Sequence, residues 1–243
     1  MDLPGFGLTP PRSDFHLETH RDSIVGYLEA LDSPSHTLIG NSTGGLLAEM
    51  VAASRPDLVD SLVLVAPATP PRLPDPRLDW RTALRLALQA TPVIGEAFGS
   101  YYLQRNTPEQ LTRKSLEMIT HKPGRVPVEV IEACRDMAAI RKELPWARYA
   151  TARTATSIAR HYARLSFFVD MIRSIESRAL VVQGVSDHIV SPTAVEWMCS
   201  LRPDWDLIQL DDTGHTPQMD APLRFMESVH PWLADAGSQV AAV

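Results

Sequence analysis

The 243-residue sequence has only two cysteines, Cys134 and Cys199. Two thiols that far apart exclude a disulfide framework and a cysteine-based zinc site, so a reducing, cytoplasmic setting is the expectation. No run approaches the ~18 consecutive apolar residues of a membrane helix. Met1-Asp2-Leu3-Pro4-Gly5 has neither the basic nor the apolar region of a signal peptide. Basic runs are missing too, and 23 basic against 29 acidic side chains leave a net charge of −6. That balance argues against a nucleic-acid surface. Glycine is scarce beside proline, 12 against 20, which points to stiff loops and helix entries. There is no internal repeat, no low-complexity segment and no signal for an oligomeric state. What is present is an ordinary globular balance, 44% apolar and 21% charged, in a length that suits one domain with a sizeable insertion.

Apolar residues at Leu17, Ile24, Val25, Leu28 and Leu31 predict a helix over 16–31. His36-Thr37-Leu38-Ile39-Gly40 reads as a buried strand, the stretch after Ser42 as a helix ending at Arg55-Pro56, and 61–66 as a second buried strand. Apolar strands joined through a helix imply an α/β fold, a parallel sheet with helices on both faces. Pro67, Pro70, Pro71, Pro74 and Pro76 then mark a stiff linker. The segments 79–90, 108–120, 127–142 and 146–174 read as helices without any strand between them. Strands return at 179–184 and 206–210, followed by helices at 192–201 and 222–234, and the tail from Gly237 is expected to fray. The expected organisation is a sheet domain from residues 1–66 and 175–243, interrupted by a helical insertion over 67–174.

Gly40-Asn41-Ser42-Thr43-Gly44 fits G-x-S-x-G and falls between a buried strand and a helix. A nucleophile on a sharp turn needs small neighbours, and the N–H groups opening the helix face a developing oxyanion. The other reading, Ser42 as a helix cap in a tight turn, is the weaker of the two. A serine hydroxyl needs a base. Of eight histidines, His215 lies in Asp212-Thr213-Gly214-His215, just past a strand, where open α/β sheets collect functional groups. His16, His20, His36, His121, His161 and His230 read as surface or packing residues, and His188 as a neighbour of the acid. That acid is Asp187, at another strand's carboxyl end; Asp211 and Asp212 are the alternatives and read better as shaping the turn before His215.

Asp2-Leu3-Pro4-Gly5-Phe6-Gly7, Gly40 to Gly45, Gly184 to Asp187 with Val190, and Gly214-His215 with Pro217, Gln218 and Pro222 together resemble the α/β-hydrolase superfamily, in its helically capped branch. The resemblance implies catalytic Ser42, Asp187 and His215, an oxyanion N–H from Thr43, Asn41 beside the substrate, and a cap over 67–174 that shapes the pocket. No metal or organic cofactor is implied. It also implies four strands and a His-Gly-type loop ahead of Asp2. Neither is in the sequence, so an N-terminally incomplete version of the fold is expected. Ser42 argues against the aspartate-nucleophile members, the epoxide hydrolases and haloalkane dehalogenases. Asn41 resembles hydrolases that cleave carbon–carbon bonds of ring-fission products, but those often carry tryptophan where Thr216 stands. Pro217-Gln218 is more like esterases and lipase-like members.

The expected function is therefore hydrolysis of a small or medium carboxylic ester, an apolar small molecule, through an acyl-enzyme. Carbon–carbon hydrolysis is the alternative; a catalytically silent, truncated hydrolase-like protein is the other. In the insertion, Trp80, Phe98, Tyr101, Tyr102, Trp146, Phe167 and Phe168 could line an apolar pocket or simply pack. Arg153, Arg160 and Arg164 could meet an anionic substrate or face solvent.

Overall fold

The computed structural model describes residues 1–77 and 79–240. The chain opens with a folded turn in which Asp2 Oδ2 accepts from Leu8 N at 3.0 Å. Helix α1 (Leu17–Glu29) follows, then strand β1 (His36–Asn41), α2 (Thr43–Ser54) and β2 (Val59–Val65). Six helices come next: α3 (Trp80–Gln89), α4 (Ile94–Arg105), α5 (Pro108–Ile119), α6 (Val128–Glu143), α7 (Ala147–Tyr162) and α8 (Leu165–Ser174). The chain returns to the sheet with β3 (Arg178–Gly184), α9 (Pro192–Ser200) and β4 (Asp206–Leu210), and closes with the one-turn α10 (Pro217–Asp220) and α11 (Pro222–Val240).

All four expected strands form, and they pair in parallel in the order β1-β2-β3-β4. β2 and β3 are buried almost throughout, as parallel strands are when helices cover both faces. On one face Leu62, Leu64, Ala179 and Val181 pack with Leu17, Leu46, Leu47, Phe168 and Ile172, so α1, α2 and α8 share that core. On the other, Val63, Val65, Leu180 and Val182 meet Phe225 and Val229 of α11. That cover stops short of β1: Ile39, in register with buried Val63, is 58% exposed. Among the described residues β1 has no strand on its outer side.

Two helical expectations need correction. The segment 94–105 is α4, which the apolar pattern does not announce; it buries only Gly95, so there is no stripe to read. The single helix expected over 146–174 is two, α7 and α8, separated at Ala163-Arg164 without the glycine or proline that would have marked the break. Gly237, expected in a frayed tail, belongs to α11, while residues 241–243 lie outside the described residues. Among the described residues no helix is long and apolar enough to cross a membrane.

Candidate functional site

Three carboxyl-terminal strand ends converge. Ser42 follows β1, Asp187 lies three residues past β3, and His215 lies five past β4. Ser42 turns the chain from strand to helix with φ 54° and ψ −120°, a backbone that L-residues avoid. The turn is braced from both sides: Ser42 N donates to Val65 O at 2.9 Å, and Ser42 O accepts from Gly45 N and Ala68 N, each at 2.9 Å. Close packing explains the glycines, although not both of those in the motif. A Cβ on Gly40 would lie 2.3 Å from Gly44 O, and one on Gly45 would lie 2.8 Å from Pro67 Cβ, whereas Gly44 faces open space. The first glycine and the one just past the motif are therefore the steric requirement.

Asp187 and His215 are brought together. His215 Nδ1 and Asp187 Oδ2 are 2.8 Å apart, with His215 5% and Asp187 2% exposed. Asp187 is held in turn: Oδ1 accepts from Ile189 N (2.8 Å) and Val190 N (3.1 Å), and Oδ2 from Gln183 Nε2 (3.1 Å). With Nδ1–H given to the carboxylate, Nε2 is left as the acceptor, which is the tautomer a general base needs. Among the described residues no hydrogen bond joins the Ser42 hydroxyl to this imidazole. The link between them is Asn41, whose Nδ2 donates to Val65 O (2.9 Å) and to His215 O (3.1 Å). Asn41 was expected beside the substrate; its amide donors are committed to main chain, so here it ties the serine turn to the histidine loop. Thr43 N, in the first turn of α2, has no main-chain acceptor and is free to meet an anion.

Asp212, one of the alternative acids, is engaged elsewhere. It pairs with His121 Nε2 (3.1 Å), Lys122 Nζ (2.5 Å) and Arg125 Nη2 (2.8 Å). The Lys122 ammonium, with Arg125 beside it, holds its carboxyl down to about 2. Sequence reasoning missed Asp220. This buried carboxylate accepts from Gly214 N (2.6 Å), His121 N (2.7 Å) and Lys122 N (3.2 Å), binding the segment after α5 to the loop that carries His215. Ile119 O reinforces the joint by accepting from Thr216 N and Thr216 Oγ1, both at 3.1 Å. An acid between Pro217 and Pro222 was the one available signal.

The other histidines scatter. His20 and His161 are buried, with burial lowering both pKa values; His20 packs against Phe6 and Phe15, and His161 against Phe167 and Phe168. His16, His188 and His230 are exposed, and His36 is half-buried. Of the aromatic residues in the insertion, Phe98 and Tyr102 line a cleft, Phe168 belongs to the sheet core, Trp146 is half-buried, and Trp80, Tyr101 and Phe167 are exposed. Arg153 pairs with Glu96 (3.0 Å) and stacks on Tyr149, while Arg160 and Arg164 are exposed. Cys134 and Cys199 are both free thiols.

Comparison with known proteins agrees with this architecture. The family model of the alpha/beta hydrolase fold matches residues 1–222. Lipase 1 of Psychrobacter immobilis is 26% identical over 228 residues, covering 90% of this chain and 63% of its own. A pimeloyl (acyl-carrier protein) methyl ester esterase of Neisseria meningitidis serogroup C is also 26% identical, over 224 residues, covering 89% of this chain and 75% of its own. The chain thus spans about two thirds to three quarters of the length of these relatives. The crystal structure of a putative lipase from Acinetobacter baumannii superposes with a TM-score of 0.74 at 19% identity, covering 98% of this chain and 74% of that one.

Proposed function

Because this chain belongs to the alpha/beta hydrolase fold family, we propose that it is a serine hydrolase that cleaves a small or medium carboxylic ester through an acyl-enzyme. The observation that carries the reading is the 2.8 Å His215–Asp187 hydrogen bond, buried beside the strand end that presents Ser42. Ser42 Oγ attacks the ester carbonyl as His215 Nε2 takes its proton, and the Thr43 N–H receives the oxyanion. His215 then protonates the departing alcohol, water enters, and the same imidazole activates it to release the acid. Asp187 keeps Nδ1 protonated and stabilises the imidazolium. The helices inserted over 67–174 act as the cap, anchored over the site by the Asp220 and Ile119 joints. Relatives named as lipase and methyl ester esterase support an ester as substrate.

Asn41, directly before Ser42, favours carbon–carbon hydrolysis of ring-fission products as the second reading. One preparation tests both. Turnover of p-nitrophenyl butyrate and labelling by a fluorophosphonate are expected, with turnover falling roughly 10⁴–10⁶-fold in Ser42→Ala. Turnover of a 2-hydroxy-6-oxohexa-2,4-dienoate in place of the ester would select the second reading. A folded protein that shows neither turnover nor labelling would overturn both and leave the silent protein.

A further inference from the structure

Apart from Ser42, Asp187 and His215, the inserted helices hold a cleft of about 770 Å³ lined by α3, α4, α5, α6 and α7. None of those three residues lines it, and its size falls within the ~300–1,000 Å³ of small-molecule sites. Much of the wall is apolar, with Phe98, Leu111, Met118, Val130 and Met137 contributing. Four cations line it as well, Arg85, Lys114, Arg141 and Arg148, against one acid, Glu129. Some cations elsewhere in the insertion find carboxylates, as Arg153 takes Glu96 and Lys122 and Arg125 share Asp212, while others such as Arg160 and Arg164 face solvent. Among the described residues none of the four cleft cations has such a partner.

Their other contacts are with uncharged groups. Arg85 and Lys114 sit over the Tyr102 ring at 5.9 and 5.5 Å, and Lys114 Nζ donates to the amide oxygen of Asn106 at 2.6 Å. Arg141 has one side-chain bond, a long 3.4 Å to Thr151 Oγ1, and burial pulls its pKa down. A second observation is independent of charge. Thr112 lines the same cleft at 5% exposure, and its hydroxyl has no hydrogen-bond partner. A buried hydroxyl without an acceptor is costly, and a bound anion would relieve that cost.

We propose that this cleft binds an amphipathic monoanion, a fatty-acid-like carboxylate whose chain lies along the apolar wall and whose head pairs with the cations that have no carboxylate among the described residues, Arg141 foremost. The site does not depend on the hydrolase reading, because binding needs no chemistry at Ser42. The test is displacement of fluorescent 11-(dansylamino)undecanoate from the intact chain by decanoate and by decanol, both below their aggregation limits. Decanoate is expected to bind about tenfold more tightly than decanol. Arg141→Met should erase that preference, Arg141→Lys should keep part of it, and Ala138→Phe, which fills the cleft, should abolish binding of both. Equal affinities for decanoate and decanol in the unaltered protein would overturn the proposal. So would a preference that survives Arg141→Met in a protein melting like the original, or binding that survives Ala138→Phe.

Discussion

In β2 six of seven residues are buried, whereas in α3, a linker away, and in α6, later in the insertion, none is. The sheet domain closes over Leu62, Leu64, Leu180 and Val181 at 0% exposure, with helices on both sides. The helices between β2 and β3 leave Trp80, Leu84, Leu88 and Val128 half or more exposed, and α8 alone among them sends fully buried Phe168 and Ile172 into the sheet core. Stability in one molecule is thus uneven. Segments with few buried apolar contacts open at lower free energy than the core they stand on.

The sharpest way to test the contrast is to cut a methyl-rich side chain from each region. Leu64→Ala is expected to cost about 2–5 kcal/mol, read as a lower urea midpoint, because a close-packed site cannot collapse around the cavity. Asp220→Asn attacks the joint between the two regions. It removes the charge from three main-chain hydrogen bonds, so a loss of about 1.5–3 kcal/mol is expected, with faster amide exchange at His121 and Lys122. Unchanged exchange there would mean the insertion is held by something other than this carboxylate.

Glu49 makes the core itself pH-sensitive. Among the described residues its fully buried carboxyl has no hydrogen-bond partner, and burial pushes its pKa well above the usual 4.5. A folded pKa above the unfolded one means a contribution fully present below about pH 4.5 and lost as pH rises through the folded value. Glu49→Gln should therefore match the original protein at pH 4 and exceed its thermal midpoint at pH 8; a constant difference at both pH values would refute this. The smallest effect belongs to the insertion. Leu84→Ala, on a side chain 52% exposed, should move stability by less than ~0.5 kcal/mol.

The same contrast governs what the sequence makes legible. Strands are written as short apolar runs, so 61–66 and 179–184, buried almost throughout, and the more exposed 36–40 and 206–210 could all be read with nearly their final bounds. Helix α4 has no buried stripe and left no periodic trace; the α7–α8 break depends on the turn at Ala163-Arg164, not on a breaker residue. Within the site, the strand-end positions of Ser42, Asp187 and His215 followed from motif and order. The bracing did not. Asn41 bonds across 174 residues and Asp220 across 99, and no local pattern encodes partners that distant. Nor did the motif reveal that Gly45, not Gly44, is the glycine with no room for a side chain.

The backbone of Ser42 carries one more consequence. At φ 54° and ψ −120° it occupies a region natural to glycine, and a side chain there costs on the order of 1–3 kcal/mol. Relaxation to glycine would make a sturdier turn with nothing to offer a carbonyl. If Ser42 is the nucleophile proposed above, the protein keeps a hydroxyl where its own conformational preferences favour glycine, and fold and reactivity pull this residue in opposite directions.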